Sequence, residues 1–323
     1  MIGRLLSFLV CVLLPALVPA AALAQSANDA EIVLDTPTGK IAGSLLLPAA
    51  AGPMPVALII AGSGPTDRDG NSRMIPGRND SLRMLAQALA RTGIAAVRYD
   101  KRGIGASAQA MQSESALRFE TYIDDAAAWV ARLRKDPRFS KVAVIGHSEG
   151  SLIGMVAARQ AGADAFVSIA GVGAPLPAVL RRQLADKLPP DLLKENERVL
   201  GALERGQTVD GVPPLLAALY RPSVQPYLIS QFRYAPAERI AALSIPVLIV
   251  QGTTDIQVGV EDAQALKKAS PGARLEIVEG MNHVLKMVPA GGAQLASYGD
   301  LALPLAPRLV DAVASFLHTA VEP

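Results

Sequence analysis

Two textures of hydrophobic pattern alternate along the chain. Pro55–Ala61, Ile94–Tyr99, Lys141–Ile145, Ala165–Ala170, Pro246–Val250 and Arg274–Val278 are short, nearly continuous apolar runs. Between them, Ser81–Arg91, Thr121–Arg134, the stretch from Ser151, Asp262–Lys268 and Leu303–Leu317 carry helical spacing; Ala126, Ala127, Val130 and Leu133 share one helix face. A continuous run, as opposed to a strictly alternating one, marks a strand buried on both faces. Strand and helix in alternation therefore predict an α/β fold, with a mostly parallel, twisted sheet and helices on both faces. Glu31–Asp35 and Lys40–Leu47, joined by Pro37-Thr38-Gly39, predict a hairpin at the sheet edge.

The alternation lapses between Gly173 and Leu243. This stretch is rich in Leu, Arg, Lys and Glu, holds several prolines and has no strand-like run, which predicts a helical insertion between two sheet strands. The chain thus divides into a leader at 1–24, a first core part at 25–172, the insertion at 173–243 and a second core part at 244–323. The leader is read from Arg4, an apolar stretch from Leu5 to Val18, and small residues Ala22-Leu23-Ala24 before Gln25. That is the make-up of a cleavable signal peptide. Pro15 and Pro19 interrupt the run, which falls short of the ~20 residues a spanning helix prefers. The expectation is an exported protein, periplasmic or secreted, with no stable membrane anchor after cleavage. The single cysteine, Cys11, lies in the leader, so the remaining chain has no thiol for a disulfide, a nucleophile or a metal. Net charge is only +2, without a basic stripe, and no nucleotide, zinc or calcium motif is present, so neither nucleic acid, cofactor nor metal is expected.

Chemistry enters at Gly146-His147-Ser148-Glu149-Gly150, directly after an apolar run and before a helical stretch. A serine hydroxyl is a weak nucleophile that must be presented on a sharp turn beside a base. Glycines on either side clear the strand–helix crossing, and the Glu149 N–H at the new helix's first turn points at a developing oxyanion. Of the three histidines, His147 adjoins the serine and is read as pointing elsewhere, while His318 lies far along a C-terminal helix. His283 is left as the base. Asp255, in the polar loop after Pro246–Val250, is the acid that orients it; Glu261 and Asp262 are nearby but fall in the next helix.

The order Ser148, Asp255, His283 and three further segments resemble the α/β-hydrolase superfamily, from about the first strand to the last helix. Ala61-Gly62-Ser63-Gly64-Pro65 is similar to its oxyanion loop, which implies the Ser63 N–H as a second donor beside that of Glu149. Tyr99-Asp100-Lys101-Arg102-Gly103-Ile104-Gly105-Ala106-Ser107 resembles a turn after the fourth strand, and Pro246 to Val258 the segment supplying the acid. With the run Gly62 to Asn71, these are similar to a bacterial serine esterase subgroup, although Ala61 stands where many lipases carry histidine. The resemblance implies a lid formed by the insertion and cleavage of small-molecule carboxylic esters through an acyl-enzyme, with no cofactor. A serine peptidase or acyl-thioesterase with the same triad, and a non-catalytic binding protein of the same fold, are the alternatives. Asp100 and Arg102, and the Asp67-Arg68-Asp69 run, are expected to brace turns in preference to touching substrate. Acyl preference and oligomeric state are not specified at this level.

Overall fold

The computed structural model describes residues 29–49 and 52–321; the leader at 1–24, with Cys11, lies outside the described residues. Eight strands form one sheet: β1 (Ala30–Thr36), β2 (Gly39–Leu46), β3 (Met54–Ile60), β4 (Ala95–Tyr99), β5 (Phe139–His147), β6 (Ala165–Ile169), β7 (Val247–Gly252) and β8 (Arg274–Val278). Their spatial order is β1-β2-β4-β3-β5-β6-β7-β8. The β1–β2 and β2–β4 pairs are antiparallel and the remaining pairs parallel. Every residue of β4, β6 and β7 is buried, which is why those runs show no polar alternation.

Helices cover both faces. On one face α1 (Ser81–Arg91) and the last helix, Pro307–Val321, pack Leu85, Leu89, Leu309 and Val313 onto Ile59, Ile145 and Val167. On the other, α2 (Phe119–Arg134) and α3 (Glu149–Ala161) pack Ile123, Trp129, Leu133 and Ile153 onto Val56, Leu58 and Val144. Between β6 and β7 come α4 (Leu176–Leu184), α5 (Pro190–Glu204), α6 (Ala217–Tyr220), α7 (Gln225–Gln231) and α8 (Pro236–Ala241). No strand interrupts them among the described residues, and Val199, Leu203, Tyr220 and Tyr227 join the second core. Then α9 (Val260–Ala269) precedes β8, and α10 (Gln294–Ser297) precedes α11 (Pro307–Val321).

Several boundaries move by about two residues, and the start of the last helix moves furthest. The final helix starts at Pro307, not Leu303. Leu303 C=O accepts the buried Lys286 ammonium at 2.6 Å, and Leu305 makes an antiparallel bridge with Lys286, so 303–306 is held extended. Proline then opens the helix at a position where its missing N–H costs nothing.

Topology already selects a place for chemistry. The chain leaves β3 through α1 to β4 on one side, then returns through α2 to β5 on the other. At such a reversal the loops beyond the carboxyl ends of the adjacent strands splay apart and leave a crevice. Here those loops follow Ile60 and His147, which are the loops carrying Ser63 and Ser148.

The core on the α2 face can be tested at Trp129, fully buried with its ring 5.7 Å from that of Tyr99. Trp129→Ala is expected to cost about 3–5 kcal/mol, seen as a lower urea midpoint at an unchanged slope. A loss under about 1 kcal/mol is incompatible with this packing.

Candidate active site

Ser148 is the hinge between β5 and α3. Its backbone sits at φ 54°, ψ −122°, where side chains other than glycine are strained by about 1–3 kcal/mol. The strain is tolerated because both flanks are over-determined. A Cβ on Gly146 would lie 2.2 Å from Gly150 O, and one on Gly150 would lie 2.3 Å from Ile60 O. No side chain fits at either position, so strand and helix cross at backbone contact. Ser148 N–H donates to Ile169 O at 2.9 Å, tying the turn to β6. Among the described residues, Ser148 Oγ has no hydrogen-bond partner.

Asp255 and His283 are brought together by the loops after β7 and β8. Thr253 N–H donates to Val278 O, Thr254 N–H to Met281 O and Gly280 N–H to Thr253 Oγ1. A Cβ on Gly252 would stand 1.9 Å from Met281 O, so the loops can close only on a glycine. The result is a 2.8 Å hydrogen bond from His283 Nδ1 to Asp255 Oδ2. Gln251 Nε2 donates to the same oxygen at 3.2 Å, while Oδ1 accepts the N–H groups of Gln257 and Val258. Burial raises the Asp255 carboxyl, but His283 and the two backbone donors outweigh it and hold the group below the ordinary carboxylate range. With Nδ1–H given to Asp255, His283 keeps Nε2 free as a proton acceptor. The His283 loop is braced in turn: Asn282 N–H donates to Lys286 O, and Asn282 Nδ2 to Ser297 Oγ at 2.6 Å.

His147 does not point elsewhere, as adjacency alone suggests. Its ring lies 4.9 Å from that of His283, and Nε2 reaches His283 O at 2.8 Å. A carbonyl acceptor requires Nε2 to carry the proton, so His147 holds the backbone of His283. Burial, then the neighbouring His283, pushes its pKa down to about 3.

The oxyanion loop abuts the serine: a Cβ on Gly62 would lie 3.1 Å from Ser148 Cβ. Among the described residues, neither the Ser63 nor the Glu149 N–H donates to another protein group. The Glu149 side chain turns away from the serine, onto Lys101 Nζ at 3.0 Å, Tyr227 OH at 2.8 Å and Gln231 Nε2 at 3.3 Å. Lys101, Gln231, Gln251 and His147 are parts of the site to which motif reading gave no role, while Tyr227, a candidate pocket residue of the insertion, does stand on the cleft wall. The expected braces are present. Arg68 pairs with Asp100, Arg102 with Asp125 and Asp69 with Arg98. Asp262, the alternative acid, pairs instead with Arg182.

A cleft of about 320 Å³ opens beside this constellation, lined by Gly64, Pro65, Lys101, Met111, Tyr122, Glu149 and Tyr227 among others. Both carboxylates on its wall are compensated. Glu149 is held as described, and Glu114 by Arg221 and Ser223. Among the described residues no cluster of three or more His, Cys, Asp or Glu is arranged to hold a metal. No helix among them is long and apolar enough to cross a membrane.

Comparison with known proteins agrees with this architecture. Residues 76–211 match a family described as serine aminopeptidase, S33; that span includes Ser148 but neither Asp255 nor His283. Esterase EstD of Thermotoga maritima is 28% identical over 254 residues, 78% of this chain and 59% of that protein. The chain therefore spans about three-fifths of the length of this curated relative. Est1E from Butyrivibrio proteoclasticus superposes with a TM-score of 0.62 at 19% identity, covering 90% of this chain and 98% of that one. The α/β-hydrolase GrgF from a Penicillium gives 0.58 at 19% identity, with 91% and 99% covered. The fold is that of an α/β-hydrolase. In sequence the chain is similar to an esterase, EstD.

Because burial keeps His147 neutral, that residue couples stability to pH. An unfolded histidine titrates near 6.5 and the folded one near 3, so the unfolded chain takes up the proton first. Stability is full above about pH 6.5 and falls as the pH drops toward 3, by about 2 kcal/mol between pH 7 and pH 5. His147→Gln, which keeps a donor and removes the titration, is expected to flatten the melting temperature over that window. An unchanged acid limb in the variant assigns the effect to other groups.

Proposed function

We propose that this chain is an exported serine hydrolase that cleaves carboxylic esters of small molecules through a Ser148–His283–Asp255 triad. The observation that carries the reading is the buried Asp255–His283 hydrogen bond at 2.8 Å, across the crevice from a serine held at φ 54°. A surface histidine needs no such partner, and an ordinary loop serine needs no such strain.

In this mechanism His283 Nε2 takes the Ser148 proton as Oγ attacks the ester carbonyl. Asp255 fixes the imidazole's tautomer and stabilises the imidazolium. The carbonyl electron pair moves onto oxygen, where the N–H groups of Ser63 and Glu149 receive it, each worth a few kcal/mol. Collapse expels the alcohol, which takes the proton from His283, and leaves the acyl group on Ser148. Water then enters, gives a proton to His283 and attacks the acyl carbon. Release of the acid restores the serine.

The cleft favours an uncharged substrate. Met111, Tyr122, Tyr227 and Pro65 supply apolar wall, and neither carboxylate on it is free to hold an ammonium group. Holding the free amine of an aminopeptidase substrate there means stripping Glu149 from Lys101 or Glu114 from Arg221, which weighs against the activity named in the matched family's description. Thioesters of coenzyme A fit poorly with export. The insertion from α4 to α8 acts as the lid, with Arg221, Val224 and Tyr227 on the cleft wall. Export rests on the composition of residues 1–24 alone.

Fluorophosphonate labelling of the purified chain is the direct test. An adduct on Ser148 is expected, absent in Ser148→Ala and strongly reduced in His283→Ala. Asp255→Asn is expected to lower kcat by about 10²–10⁴-fold, since the base loses its tautomer. Neutral p-nitrophenyl acyl esters should be turned over far faster than aminoacyl p-nitroanilides. The reverse preference makes the chain a peptidase, and a folded protein that takes no adduct is a binding protein of the same fold.

A further inference from the structure

Lys101 is an ammonium ion in the protein interior, its side chain only 1% exposed, and the mechanism above leaves it without a task. It follows β4 by two residues and reaches under the crevice. Nζ donates to Gly62 O at 2.5 Å and to Glu149 Oε2 at 3.0 Å, and stands 5.0 Å from the centre of the Tyr122 ring. Its two hydrogen-bond partners belong to the oxyanion loop and the elbow, and the Tyr122 ring belongs to α2.

The Gly62 contact is the informative one. Gly62 C=O and Ser63 N–H are the two ends of one peptide unit, which is planar and trans, so they point in opposite directions. Whatever fixes the carbonyl aims the N–H. An ammonium bound to the carbonyl also polarises the peptide and makes its N–H a stronger donor. On the other side, the same ammonium takes the carboxylate of Glu149, whose own N–H is the second donor, and turns that negative charge away from where the oxyanion forms. One cation thus meets both donor residues from behind.

We propose that Lys101 is the positioning residue of the oxyanion hole, acting through the Gly62–Ser63 peptide. The inference rests on the triad reading above. A residue that only neutralised Glu149 would need no bond to Gly62, and one that only filled space would need no charge.

The test uses Lys101→Met, close in length and shape, against wild type on a neutral p-nitrophenyl ester. Losing an aimed oxyanion donor is expected to lower kcat about 10²-fold, with KM moving less than about threefold because the ground-state carbonyl leans little on the hole. A trifluoromethyl ketone reports on the same donors. Ser148 Oγ adds to its carbonyl carbon, the serine proton passes to His283, and the new oxyanion sits in the hole. Its Ki should rise by the same factor as kcat/KM falls. The double variant Lys101→Met with Glu149→Gln should remain as slow as Lys101→Met; recovery would mean that Lys101 only balances Glu149, and overturns the proposal. So does a Lys101→Met enzyme with full kcat, or one whose loss lies wholly in KM with ketone affinity intact. If the methionine variant does not fold, Lys101→Arg and Lys101→Gln decide the matter, since each offers a donor at a different reach. Their log Ki against log kcat/KM should follow a line of slope near one in magnitude, and a slope near zero overturns the inference. A wild type that hydrolyses no ester and takes no fluorophosphonate adduct removes the triad reading, and this inference with it. An active wild type beside an unimpaired variant removes this inference alone.

Discussion

Everything at this site hangs on the contact of two backbones at Ser148. Strand β5 enters the turn and α3 leaves it so close together that neither Gly146 nor Gly150 has room for a methyl group. That crossing forces Ser148 into a conformation costing about 1–3 kcal/mol, and in return lifts its hydroxyl clear of its own chain. The same crossing starts a helix there, which leaves the Glu149 N–H at the head of α3 without an intrahelical acceptor. A single steric constraint therefore presents both the proposed nucleophile and a proposed oxyanion donor.

Rigidity at the serine has to be matched across the crevice, and the second half of the sheet supplies it by stitching loops. The loop after β7 is pinned to the loop after β8 through Thr253, Thr254 and Gly280, so Asp255 and His283 are held together. That pair is then tied to the elbow by His147, whose ring proton goes to the carbonyl of His283. Keeping His147 neutral suits this task. A second imidazolium 4.9 Å away would oppose the positive charge that the proposed mechanism places on His283.

How legible this was varies with the range of the interactions. Strands β3 to β8 and the helices that cover them are written in local periodicity, because burial on both faces of a strand leaves a continuous apolar run. Ser148, Asp255 and His283 were picked out because each ends or follows such a run, and the structure brings Asp255 and His283 into hydrogen-bond contact. The last helix was misjudged at its start because Leu303 to Ala306 is held extended by a lysine seventeen residues earlier, which no local pattern encodes. Lys101 and His147 were passed over for a related reason. Their identity as a lysine in a turn and a histidine beside a motif suggests a solvated side chain, and only the three-dimensional contact shows both buried. The signal available was that Lys101 closely follows the fully buried β4, and that His147 ends β5, whose last six residues are buried.

Charge, in the end, distinguishes this site more than shape does. Among the charged residues around the crevice, the pairs Lys101–Glu149, Arg221–Glu114, Arg68–Asp100 and Arg102–Asp125 each cancel locally. In the proposed reaction cancellation matters because transition-state charge appears at one point only, the oxyanion, and any uncompensated carboxylate nearby would raise its energy. An elbow that places a glutamate next to the nucleophile creates this hazard, and a buried cation removes it. The lysine that does so also grips the peptide whose N–H faces the oxyanion, so compensation and orientation become the work of one side chain. Tyr227 and Gln231, which reach the same carboxylate from α7, extend that link to the helical insertion. Any shift of the insertion then has a direct route to the electrostatics of the oxyanion hole, without a change in the triad itself.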